Sequence, residues 1–291
     1  MHYDIYIVFL FIFLFGAAIG SFLNVVIYRV PNKLFSEEKA IAREILNLPE
    51  EPCENFSLLT PSKCPKCPKC PKCPKWNNKL KYRHNIPILG WLILRGKCYF
   101  CHEKISFEYP LVEFITAITF VGIFYYFGFN IQSLALILLS VFFIPLFFID
   151  AKHKILPGSF TLTLLWIGII FNYYGVFTTL ELSIWGAIIG YLSLWSVFWI
   201  YQFFTGKEGF GYGDFKLLAA IGAWFGYPIL LYTIFASCLF GIIIAIIVNL
   251  VARRTNIIPF GPAIILATFF YLLTKDNIYV WYNHIMLINI Q

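Results

Sequence analysis

From Ile131 to Pro157 the chain reads IQSLALILLSVFFIPLFFID-AKHKILP. Ile131 through Ile149 carry no charge, and the run is as long as an apolar helix must be to cross a bilayer, roughly 20 residues. A carboxylic acid, Asp150, stands at its end, followed by Lys152, Lys154 and a proline, Pro157, that restarts a helix. The stretch therefore reads as a membrane helix that delivers an acid to the membrane edge.

The rest of the chain has the same character. Hydrophobic residues make up 60% of its 291 positions and charged residues 13%, against about 25% charged in soluble domains. A soluble globule of this length cannot hide so much apolar surface, so the bilayer is the natural solvent. Further apolar runs fall at 5–28, 109–128, 158–176, 181–204, 214–227, 229–251 and 259–274. With 131–149 they predict an all-α polytopic membrane protein of about eight helices, the sixth and eighth short. The first run lacks a basic region before it and a small-residue cleavage site after it, so it reads as a retained anchor rather than a signal peptide.

Charge placement sets an orientation. Of the 22 Lys and Arg residues, 15 lie between Arg29 and Lys104, and such clusters stay on the cytoplasmic side. The expectation is an N-terminus outside and a cytoplasmic loop at 29–108. Eight helices then bring Lys152, Lys154, Lys207, Lys216, Arg253 and Arg254 to cytoplasmic ends, with only Lys275 outside. The basic loop serves as a topology signal with some attraction for anionic lipid; no recognition motif accompanies it, so nucleic acid is not an expected partner. The chain divides into a first membrane helix (1–30), a cytoplasmic cysteine-rich domain (31–108) and a membrane core (109–291).

Seven of the eight cysteines lie in that loop: Cys53, Cys64, Cys67, Cys70, Cys73, Cys98 and Cys101. Cytosolic thiols stay reduced, so clustered pairs point to metal rather than disulfide. Cys70-x-x-Cys73 with Cys98-x-x-Cys101 suits tetrahedral zinc, and four thiolates leave no open position for a catalytic water, which makes the role structural. A Cys-Pro-Lys triplet repeats from Cys64, so Cys64 and Cys67 are alternatives for the first half-site. A low-complexity expansion without metal is the bland alternative. The eighth, Cys238, reads as a small buried residue in an apolar helix.

Acids in or beside membrane segments are costly and are functional suspects for that reason. Glu181 falls at an outer helix end, where solvation accounts for it; Glu113 enters the second helix from the cytoplasmic side. Asp150 ends the third helix, and Asp214 opens the sixth in Gly211-Tyr-Gly-Asp. Both are expected at the cytoplasmic edge at comparable depth. Two carboxyls that approach tend to share a proton, so one can act as base on a water while the other polarises a scissile carbonyl. Singly, Asp214 reads as a helix N-cap and Asp150 as a helix-end residue paired with a lysine. Gly211 and Gly213 give an extended substrate room to approach the backbone.

At these residues the chain resembles the type IV prepilin peptidases, a branch of the GxGD membrane aspartic proteases. The resemblance covers nearly the whole chain: Gly20-Ser-Phe-Leu-Asn-Val-Val-Ile-Tyr-Arg-Val-Pro31, Asn85-Ile-Pro-Ile-Leu-Gly-Trp-Leu-Ile-Leu-Arg-Gly-Lys-Cys98, Tyr109-Pro-Leu-Val-Glu113 and Gly211-Tyr-Gly-Asp214. It implies that Asp150 and Asp214 form a catalytic dyad in a bacterial-type cytoplasmic membrane. The implied substrate is the N-terminus of a prepilin or pseudopilin of a type IV pilus or type II secretion system, cut after a glycine between basic leader and apolar helix. Relatives with the cysteine-bearing loop are usually bifunctional and methylate the new N-terminal residue with S-adenosylmethionine. Asn24, Arg29 and Glu113, all near the cytoplasmic edge, are candidates for that second site; no glycine-rich nucleotide fold is visible for the methyl donor.

The chain departs from the family pattern in three places. Lys152 and Gly158 stand where further acids are common. The second cysteine of the first pair would be expected near Trp76, so ligation by Cys70 and Cys73 requires about three inserted residues. Segment 33–63 holds a charged stretch, with an amphipathic helix at 36–47, that carries no assigned function. Rival readings are a presenilin-like GxGD protease of other substrates, a proton-coupled transporter carrying protons on Asp150 and Asp214, and a zinc adaptor on a membrane anchor.

Overall fold

The computed structural model describes residues 2–48, 86–97, 104–206, 211–252 and 259–288. Nine helices run through them: α1 (His2–Ile45), α2 (Leu89–Ile93), α3 (Glu108–Phe127), α4 (Ile131–His153), α5 (Gly158–Tyr173), α6 (Leu180–Thr205), α7 (Tyr212–Phe225), α8 (Pro228–Ala252) and α9 (Gly261–Ile288). The β structure among these residues is one isolated antiparallel bridge, Lys97 with Lys104. Each of the eight apolar runs of the sequence is a helix. Five helical segments are long and apolar enough to cross a membrane: Tyr6–Ile45, α3, α4, α6 and Pro228–Leu250. Gly158–Tyr173 and Gly261–Thr274 are apolar but shorter, and α7 has only 14 residues.

Two expectations change. The first helix does not end near position 30, because α1 continues through Pro31 to Ile45. Residues 32–45 are mostly good helix formers, and Lys33 and Glu37 pair one turn apart at 3.6 Å, so the charged helix expected at 36–47 is the tail of α1. Cys238 is exposed on α8 rather than buried. That helix is apolar on all sides, so a small thiol fits its outer face as well as its inner one.

The chain forms two compact units, Met1–Pro145 and Leu146–Gln291. In the first, α1 packs antiparallel on α3 along a stripe of small and polar residues one turn apart. A Cβ at Gly16 would lie 2.8 Å from the Ala117 Cα, and one at Gly20 would lie 2.6 Å from the Glu113 Cα. One turn further on, Asn24 donates its side-chain amide to the Tyr109 carbonyl at 3.0 Å. Glycines at this spacing let helix backbones touch, which is how membrane helices associate without a hydrophobic driving force between them. Beyond α2 the chain folds back on itself. Ile105 donates to the Gly96 carbonyl at 2.7 Å, and the Trp91 indole N–H donates to the Ile105 carbonyl at 3.2 Å.

In the second unit α7 is the centre. Every residue from Phe215 to Trp224 except Lys216 is buried, with α6 and α5 packed against it. Gly186 and Gly222 bring the α6 and α7 backbones into direct contact, and a Cβ at Gly190 would lie 2.7 Å from the Leu218 carbonyl. The C-terminal end of α7 is held by side chains. Asn172 of α5 donates to the Ala223 and Trp224 carbonyls at 2.8 Å each, and Ser183 of α6 donates to Ala223 as well. The Trp224 indole in turn donates to the Leu164 carbonyl at 2.8 Å. A helix as short as α7 gains little from propensity, and this packing and end-capping account for its stability.

Candidate active site

Asp150 lies in the last turn of α4. The helix stops three residues later, where Lys154 turns to a φ of 57° and donates its N–H back to the Asp150 carbonyl at 2.9 Å. Such left-handed caps close helices. The carboxyl of Asp150 is buried, with 5% of the residue exposed. Its Oδ2 accepts the backbone N–H of Gly261, the first residue of α9, at 3.0 Å.

Asp214 is the third residue of α7, and it too is buried. Its Oδ2 accepts the N–H of Gly211 at 3.3 Å, while its own N–H donates to the Gly211 carbonyl at 3.1 Å. The acid is therefore not the N-cap; it reaches back from the first turn to the capping residue. One oxygen of each carboxyl is engaged by a backbone amide, and Asp150 is close enough to act electrostatically on Asp214.

Leu156, in the α4–α5 connection, joins the two acids' surroundings. A Cβ at Gly213 would lie 2.6 Å from the Leu156 Cβ, and one at Gly261 would lie 3.2 Å from the Leu156 Cδ1. The side chain fills the space between the residue before Asp214 and the residue that holds Asp150. Gly211, by contrast, is exposed, and a Cβ there would meet Asp214 Oδ2 only at an ordinary 3.6 Å. Of the two motif glycines, Gly213 packs against Leu156 and Gly211 is exposed.

The remaining candidates are distributed differently. Asn24 and Glu113 are buried in the first unit and Arg29 is half-buried on α1. Glu113 Oε2 accepts the N–H of Ile88 at 2.6 Å, and Ser21 also bonds to that carboxylate. Cys53, Cys64, Cys67, Cys70, Cys73, Cys98 and Cys101 lie outside the described residues, and no cluster of metal-ligating side chains occurs among those described. Gly261 and Leu156 were not singled out from the sequence. The available signal was Phe260-Gly-Pro262 at the head of the last helix, a local break in an apolar run.

Comparison with known proteins accounts for both halves of the chain. Residues 14–127 match the bacterial peptidase A24 N-terminal domain, and residues 137–246 match the type IV leader peptidase family. The prepilin leader peptidase/N-methyltransferase of Stutzerimonas stutzeri is 42% identical over 267 residues, covering 90% of this chain and 89% of that protein. The proteins of the same description from Pseudomonas aeruginosa (43% identical; 91% and 90% covered) and Neisseria gonorrhoeae (41%; 91% and 90%) are similarly close. No solved structure matches. With 42% identity along nine-tenths of its length and a family model over Asp150 and Asp214, the chain belongs to the type IV leader peptidase family.

Proposed function

We propose that this protein is a membrane aspartic endopeptidase that removes the short basic leader from type IV prepilins or pseudopilins, and that it also N-methylates the residue so exposed. The observation that carries the peptidase reading is the pair of buried carboxyls, Asp150 and Asp214, each fixed by a backbone amide, with Leu156 packed between the glycines beside them. Hydrolysis needs one of the pair ionised and the other protonated. The ionised carboxylate takes a proton from water as its oxygen adds to the scissile carbonyl carbon, while the protonated partner gives its proton to the carbonyl oxygen. Collapse of the tetrahedral diol breaks the C–N bond: the proton taken from water passes to the departing amine, and one diol hydroxyl returns its proton to the partner carboxylate. Peptide and water balance, and no covalent enzyme intermediate forms.

Exposed Gly211 lies on the approach to the dyad, where a backbone without side chain lets an extended leader lie close. The acids sit at helix ends, which supports a site at the cytoplasmic membrane edge, with eight crossings and the N-terminus outside. A transporter would be expected to hold its acids near the midplane. The relatives' descriptions as leader peptidases favour prepilins over the substrates of presenilin-like enzymes.

The methyltransferase half rests on the relatives' descriptions. S-adenosylmethionine would be the methyl donor. Asn24 and Glu113, two of the three candidates for its site, are occupied by internal hydrogen bonds, so the donor site is assigned to no residue. Zinc is the structural metal suited to four thiolates among Cys64, Cys67, Cys70, Cys73, Cys98 and Cys101, and it would clip the cytoplasmic loop.

Incubating the detergent-solubilised protein with a prepilin tests the dyad. Asp150→Asn and Asp214→Asn keep shape and hydrogen-bonding capacity but remove acid–base chemistry, and each is expected to lower kcat by about 10²–10⁴-fold or more. Cleavage by both variants at the wild-type rate would overturn the assignment.

A further inference from the structure

The N–H of Gly261 meets Asp150 Oδ2 at 3.0 Å, in a buried setting and across 111 residues of sequence. The same oxygen lies 2.7 Å from where a Cβ at position 261 would stand, with the Asp150 Cγ at 3.2 Å. Carboxyl and glycine backbone are thus in direct contact, and any side chain at 261 must push the carboxyl away. Gly261 has no φ in the left-handed range, so backbone conformation does not call for glycine here. The close approach of Asp150 does.

Pro262 follows at once and lacks an N–H, so Gly261 carries the one main-chain donor of the pair at the head of α9. That donor goes to the acid. A charge-assisted bond from an amide at a helix start is stronger than a neutral one. It also ties up one carboxyl oxygen, which leaves Oδ1 as the oxygen available to water. Leu156 fills the space between Gly261 and Gly213, so the residue that holds Asp150 and the residue before Asp214 share one neighbour.

We propose that Gly261 is a positioning residue of the dyad: its amide fixes the rotation of the Asp150 carboxyl, and its missing side chain permits the approach. The proposal rests on the dyad reading above. It makes the head of α9 part of the peptidase site and gives it no role in methyl transfer.

The test compares Gly261→Ala with Gly241→Ala, whose added methyl on α8 would meet Phe260 and Ala263 at ordinary contact distances of 3.7–3.9 Å. For each variant, leader cleavage is followed for kcat and KM, and methylation is followed on pilin that has already lost its leader. Gly261→Ala is expected to lose about 10²-fold in kcat, the effect of a misplaced catalytic group, with KM and methylation as in wild type. Gly241→Ala is expected to match wild type in all three. Wild-type kcat in Gly261→Ala overturns the proposal; loss of methylation together with cleavage marks a folding defect and passes the decision to a double variant.

If Gly261→Ala does not fold, Gly261→Ala/Leu156→Ala decides the matter, since removing Leu156 clears the 3.2 Å contact but leaves the one with Asp150. A folded double variant with kcat well below that of Leu156→Ala alone supports positioning, whereas a kcat equal to that of Leu156→Ala overturns it. Asp150→Asn and Asp214→Asn are run alongside. If they cleave normally, the dyad reading has failed; if they are inactive while Gly261→Ala is normal, only the positioning role has failed.

Discussion

Gly213 has no room for a methyl group, since its Cβ would lie 2.6 Å from that of Leu156. Contacts that short force a shift in one backbone or the other, and overpacking of this kind costs about 1–3 kcal/mol. Gly213→Ala is therefore expected to lower the unfolding midpoint in detergent and to depress kcat, because the shifted backbone carries Asp214. Removing the neighbour's Cβ should relieve it. In a double-mutant cycle with Leu156→Gly, the two losses are expected to be less than additive in both stability and kcat; simple additivity would mean that the contact does not matter. Gly211→Ala is expected to leave stability unchanged and to raise KM, as its Cβ meets nothing closer than 3.6 Å. The spacing of Gly211, Gly213 and Asp214 was legible in the sequence, but the division of labour between the glycines was not. A glycine that admits a ligand and one that admits a neighbouring leucine look alike until Leu156 is placed.

Asn172 illustrates the same limit for whole elements. It is buried in α5 and satisfies four backbone groups: the carbonyls of Ala223 and Trp224 at the end of α7, and the N–H groups of Phe177 and Thr178 that lead into α6. Removing one partner of a buried hydrogen bond costs about 1–3 kcal/mol. Asn172→Ala is expected to be among the more destabilising single changes in the second unit, read as a lower thermal midpoint. Asn172→Asp keeps the acceptor and loses the donors, so it is expected to fall between the two; equal stability of all three proteins would contradict the bonding scheme. In the first unit Glu113→Ala leaves the Ile88 N–H without its acceptor. Faster proteolysis within 86–97 is expected, with Glu113→Gln, which keeps a side-chain oxygen, close to wild type. Hydrophobicity located all eight apolar helices, since that signal is local. It could not show that α1 runs through Pro31, because a proline's effect depends on whether the helix on either side is held by other contacts. Nor could it tell that Glu113 anchors a loop, because its partner lies 25 residues away.

The same few contacts bear on the proposed topology of the second unit. Among the described residues, five helical segments have the length and composition of independent spans, whereas the proposed function calls for eight. The dyad's own geometry bears on the difference. Asp150 at the end of α4 and Asp214 at the start of α7 lie near each other, so α5 and α6 together must leave this edge and return to it. α6 is long enough to cross, and the proposed topology has α5 make the opposite crossing, although its 16 residues reach only about 24 Å. The Gly261 contact repeats the argument. Asp214 lies in the first turn of α7, and α9 starts beside Asp150, so on the proposed topology α7 and α8 form a second out-and-back pair. A 14-residue helix cannot span lipid alone, but one buried among neighbours need not meet lipid along its whole length. The expectation is that reporters inserted at 174–179 and 226–227 report the outer side, and reporters at 206–211 and 253–258 the cytoplasmic side. Cysteine accessibility to a membrane-impermeant reagent offers an independent check at the same loops. An outer-side signal at 206–211 would separate the two acids by a membrane and defeat the dyad itself, so the topology and the chemistry stand or fall on one measurement.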